Sequence, residues 1–180
     1  MSEELEVLKL VTERLDQAKI TYLISGSIAA NYYTIPRMTR DIDIVIEMKT
    51  GDVGRFINLF KDNFSIDEDM VKTEVQKGGM FNLIHNKYII KIDFILRKAS
   101  AWQESMFLRR KKIDIDHSSA WLISGEDLIL AKLLWAKDSM SEMQLKDVAH
   151  LLKSIEILDR GYLSQWIKEL GLEKVYQKVL

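Results

Sequence analysis

Two stretches decide how this chain is read: Leu23-Ile24-Ser25-Gly26-Ser27 and, after a spacer, Thr39-Arg40-Asp41-Ile42-Asp43-Ile44-Val45-Ile46. The second is a strand by its alternation. Side chains two apart share a face, so Asp41 and Asp43 point one way while Ile42, Ile44 and Ile46 point into a core. Two acids side by side repel each other, and a cation between them relieves this. Magnesium takes such hard oxygen ligands and leaves room for phosphate oxygens. The first stretch is a short apolar strand, Tyr22-Leu23-Ile24, running through Gly26-Ser27 into a helix over 28–33. Such a turn aims backbone N–H groups at an anion, and glycine lets a phosphate approach without a Cβ in the way.

Working outward, Leu5, Leu8, Val11, Leu15 and Ala18 predict an amphipathic helix over 3–18. Pro36, the single proline, breaks the chain before the strand at 41–47. Val53, Phe56, Ile57, Leu59 and Phe60 predict a helix over 52–63, and the runs 81–85 and 88–96 a hairpin turning at Asn86-Lys87. A short helix near 102–110 and a strand near 112–116 complete a mixed sheet. Beyond Ser124 no strand pattern occurs, and Ser124-Gly125-Glu126-Asp127 has the form of a helix cap. Helices follow over 142–155 and 160–179. The expected architecture is α+β over residues 1–120, then a C-terminal helical segment over 121–180.

Composition narrows the chemistry. The 180 residues carry a formal net charge of −1, which argues against a protein that coats nucleic acid through bulk electrostatics. Arg109-Arg110-Lys111-Lys112 is the one dense basic run, read either as a local contact for a polynucleotide or as a solvated helix end. With no cysteine, disulfides, thiolate metal sites and thiol nucleophiles are excluded, and His85, His117 and His150 are too scattered for a local zinc motif. The acidic start, Ser2-Glu3-Glu4, and the lack of a long apolar run lead us to expect a cytoplasmic protein without membrane contact. The four tryptophans, Trp102, Trp121, Trp135 and Trp166, read as packing residues.

Asp93 lies within Ile89-Ile90-Lys91-Ile92-Asp93-Phe94-Ile95-Leu96, an apolar strand where Asp is a poor fit. Alternating Asp and Ile also describes an ordinary half-exposed strand. If the two strands pair, however, three carboxylates converge, and divalent ions there can serve an in-line displacement. The order of apolar strand, Gly-Ser, spacer, Asp-x-Asp and later strand acid resembles the nucleotidyltransferase superfamily related to DNA polymerase β, over roughly residues 20–96. Beyond it, Glu126-Asp127-Leu128-Ile129-Leu130-Ala131-Lys132-Leu133 and Leu145-Lys146-Asp147-Val148 resemble the small proteins grouped with AbiEii-type toxins.

The resemblance implies a nucleotidyltransferase-like mixed β-sheet flanked by helices. It also implies an enzyme moving NMP from an NTP to a hydroxyl, with Asp41, Asp43 and Asp93 as catalytic and metal-holding acids and Mg2+ or Mn2+ as cofactor. Gly26, Ser27 and Lys132 are then nucleotide contacts, with Asp147 the later acid that accompanies the lysine; Arg37 and Arg40, flanking Thr39 just before the acids, read as further triphosphate contacts, or Arg40 as a counter-charge to Asp41 and Asp43. The acceptor stays open among a small molecule, a protein and a tRNA end, its face built by the helical segment and the loop at 72–79. A catalytically inactive NTP-binding module acting through a protein partner is the alternative reading. Gly26→Val is expected to block phosphate approach with little loss of fold.

Overall fold

The computed structural model describes residues 2–139 and 141–180. In chain order the elements are α1 (Glu3–Gln17), β1 (Tyr22–Ile24), α2 (Gly26–Tyr33), β2 (Asp41–Ile46), a 3-10 turn (Thr50–Asp52), α3 (Val53–Phe60), β3 (Phe64–Ser65) and α4 (Glu68–Lys77). There follow β4 (Met80–His85), β5 (Lys91–Leu96), α5 (Ala101–Leu108), β6 (Lys111–Ile115), β7 (Ser118–Leu122), α6 (Gly125–Ser139), α7 (Glu142–Ser154), α8 (Arg160–Glu169) and α9 (Glu173–Tyr176). The seven strands form one mixed sheet in the order β3-β4-β5-β2-β1-β7-β6. Strand β2 is central because both of its neighbours bury it: β1 antiparallel and β5 parallel. Its apolar residues Ile42, Ile44 and Ile46 are fully buried, as the alternation requires. On the core side of β4 and β5, Phe56 of α3 sets its ring edge-on to both Phe81 and Phe94, at centroid distances of 5.4 and 5.1 Å. Among the described residues no helix is long and apolar enough to cross a membrane.

Three local expectations need correction. The hairpin does not turn at Asn86-Lys87 alone, because β5 begins at Lys91 and Ile89 takes a left-handed φ of 54° in the connection. The stretch read as a loop at 72–79 is mostly α4, capped by Asp67 at its start and by Gly78 at φ +65° at its end. Its apolar stripe is short, only Val71 and Val75 being buried, which hid the helical period. Finally, β7 was missed. Ser118-Ser119-Ala120-Trp121-Leu122 is too polar to read as a strand, yet it pairs antiparallel with β6 and parallel with β1.

A buried carboxylate helps to fasten the helical segment to the sheet layer. Asp127, with no exposed surface, accepts bonds from Trp102 Nε1 of α5 at 3.0 Å, Tyr162 OH of α8 at 2.7 Å and Ser124 Oγ at 2.6 Å. Arg109 reaches Glu126, Asp127 and Asp159 and stacks on the Tyr162 ring. Arg110 lies over Trp121 and donates to Phe107 O. Half of the basic run is therefore committed to packing. Tyr162→Phe should lower the unfolding free energy by about 2 kcal/mol, since it removes a bond to a buried charged group. A urea melt with a shifted midpoint and unchanged slope is the expected signature.

Candidate active site

The turn after β1 brings the chain against the face of β2. Ser25 N–H donates to Asp43 O at 2.9 Å, and Gly26 then takes φ +62° to open α2. A Cβ at Gly26 would land on Asp43 Oδ2 and lie 2.6 Å from its Cγ. Glycine here does more than admit a ligand: it makes room for the Asp43 carboxylate itself. The expectation that Gly26→Val leaves the fold largely intact is corrected by this clash. Ser25 caps α2 without a side-chain bond, so side chains do not satisfy the first amides of this helix.

Strands β2 and β5 run parallel with Asp41 opposite Lys91 and Asp43 opposite Asp93. Residues two apart share a face, so these four side chains form the corners of one patch. Asp93 is buried, Asp43 half-buried and Asp41 exposed. The Lys91 ammonium lies 2.8 Å from Asp93 Oδ2 and 3.8 Å from Asp41 Oδ1. Sequence reasoning passed over Lys91, although its place two residues before Asp93 was a usable signal. Among the described residues no group of three His, Asp or Glu is arranged to hold a metal ion, so the three acids share a face without closing into a cage. Asp43 makes no ion pair with Lys91. Burial pushes its carboxyl pKa above the usual value, and the Asp93 charge pushes it further; Lys132 pulls the other way, Asp41 adds to the rise and Lys91 offsets it.

The cations of the site gather on Asp147. Lys132, buried on α6, donates to Asp147 Oδ2 at 2.8 Å and to Gln144 Oε1 at 3.0 Å. Arg37 reaches the same Asp147 oxygen at 3.3 Å and also donates to Ser27 Oγ at 2.9 Å. Its backbone is gripped by the Asn31 side chain, which accepts from Arg37 N and donates to Arg37 O. Arg40 is exposed and pairs with neither acid of β2. Gly26, Ser27, Asp43 and Lys132 border a cavity of about 530 Å³ whose lining also includes Trp102 and Trp135. Trp135 corrects the reading of the tryptophans as packing residues: it is 58% exposed. Residues 72–79 do not line this cavity.

No protein-family model matches the chain, and no curated protein matches it by sequence. Solved structures do share its fold. An antigenic nucleotidyltransferase-like protein from Paracoccidioides brasiliensis superposes with a TM-score of 0.64 at 18% identity, over 98% of this chain and 89% of that one. A lincosamide antibiotic adenylyltransferase with lincomycin bound gives 0.55 at 13% identity, over 86% and 99%. The enzyme ANT(2″)-Ia in complex with adenylyl-2″-tobramycin gives 0.56 at 10% identity, over 96% and 99%. The fold is that of nucleotidyltransferase-like proteins.

Proposed function

We propose that this protein transfers a nucleoside monophosphate from an NTP to a hydroxyl of a small molecule and releases pyrophosphate. The observation that carries the reading is Asp43, which borders a cavity of about 530 Å³ together with Gly26 and Ser27 of the helix start, and which stands in register with Asp93 on the adjacent strand. The apolar part of the cavity lining, with Trp102, Met106, Leu128 and Trp135, suits a compact acceptor better than a polynucleotide. The names of the neighbours bound to lincomycin and to adenylyl-2″-tobramycin point to the same acceptor class.

In the proposed reaction the acceptor oxygen attacks the α-phosphorus. The bond from that phosphorus to the oxygen bridging to the β-phosphate breaks, and pyrophosphate leaves with the electron pair. The acceptor proton passes to a carboxylate, a role this reading gives to Asp93, the partner of Asp43 across the two strands. The α2 amides and Ser27 orient the phosphates, and Arg37 and Lys132 balance their charge as Asp147 gives them up. Asp41, Asp43 and Asp93 offer the hard oxygen donors that magnesium or manganese takes, on one face but not closed into a cage, so phosphate oxygens would have to complete the shell of any ion held there. Such an ion, once bound, supplies charge neutralisation at the phosphates.

Incubating the purified protein with each α-labelled NTP, manganese or magnesium and a panel of hydroxylated small molecules should move label onto an acceptor. If NTP binds but no acceptor is ever labelled, the inactive NTP-binding module becomes the better account. Lys91 bridging two of the acids is the observation on its side. Lys132→Met should weaken NTP binding about tenfold, as expected for loss of one charged phosphate contact. Isothermal titration of the variant measures this; an unchanged affinity would remove Lys132 from the phosphate site.

A further inference from the structure

We propose that Lys91 is a built-in cation that takes the place of a second metal ion, so that the site binds one divalent ion per nucleotide. The inference rests on the transferase reading above and concerns how its charge is arranged. On the shared face of β2 and β5, three corners are carboxylates and the fourth is Lys91. Its ammonium sits 2.8 Å from Asp93 Oδ2 and 3.8 Å from Asp41 Oδ1, between the two acids that an ion on that side would have to bridge. Asp43, diagonal to Lys91, is the carboxylate without an ion pair, and it is the one pressed against the Gly26 turn where phosphates would lie. A second ion between Asp41 and Asp93 would meet the ammonium at close range, and like charges there repel strongly.

Register sets where the Lys91 stem starts, and its side chain, 42% exposed, reaches across the shared face to the acids. Asp41 and Lys91 are direct partners across the parallel pair, and Lys91 precedes Asp93 by two residues on one strand. Charge and reach together define the role: a neutral side chain of similar length would leave the Asp41–Asp93 side without its cation.

The test counts manganese ions retained per bound nucleotide, by equilibrium dialysis and electron paramagnetic resonance, with a non-hydrolysable α,β-imido NTP. Wild type and Lys91→Arg should retain one ion, and Lys91→Met two, with circular dichroism confirming that each variant is folded. Two ions in the wild type overturn the proposal and leave the transferase reading standing. One ion in folded Lys91→Met also overturns it. No ion retained by wild type while the nucleotide binds overturns the metal part of the transferase reading, and Lys91's role with it.

Discussion

Asp43→Asn should leave a folded protein whose transfer rate in a single turnover is lower by on the order of a hundredfold or more. The amide occupies the same space under the Gly26 turn, so the packing around it is kept. What goes is the negative charge that would hold a divalent ion where negative charge builds on the leaving oxygen. Folding should move the other way. The Asp43 pKa is raised, first by burial and then by Asp93, so its favourable contribution is complete below the unfolded carboxylate pKa and is lost as pH rises through the folded value. At neutral pH the ionised group therefore weighs against the metal-free fold. The variant should melt slightly higher there, and the advantage should fade as the buffer is taken into the acid range. Activity within a few-fold of wild type would make Asp43 an ordinary strand residue.

Gly26→Val is expected to abolish measurable transfer and to lower the melting temperature together. A left-handed φ costs a residue with a Cβ roughly 1–2 kcal/mol, and a β-branched one more. The larger effect is steric. The new Cβ falls onto Asp43 Oδ2 and within 2.8 Å of Asp43 Cβ, on a central strand with no room to retreat. Gly26→Ala carries the same clash, so it should lose most of the activity as well. A Gly26→Ala protein with wild-type transfer and stability would show that the turn can shift away from β2, and would remove the tight apposition argued here.

The central part of this architecture was legible because its signals are local. Alternation over 41–44 announces β2 and the side on which its acids lie, and Gly26-Ser27 after an apolar triplet announces the turn. The Ser124 cap was read correctly for the same reason: Ser124 Oγ accepts from Asp127 N at 3.1 Å, a bond made within one turn. What stayed hidden depends on pairing between distant segments. Strand β7 earns its place through β1 and β6, not through its own polar sequence. Nothing in the order of residues says that β5 runs parallel to β2 with Lys91 opposite Asp41, and without that register the ammonium between the acids is invisible. The convergence of Lys132 and Arg37 on one oxygen of Asp147 likewise spans gaps of 15 and 110 residues.

The two ends of the sheet order carry a consequence for how copies of this chain behave toward one another. At one end β3 is two residues long, too short to template a strand from a second molecule. At the other, β6 presents Lys111, Lys112 and Asp114 to solvent, and adding a strand there would strip water from those charges. Concentrated solutions should resist edge-to-edge growth into fibres. The lysines that were a candidate contact for a polynucleotide then have a plainer office, as guardians of colloidal stability.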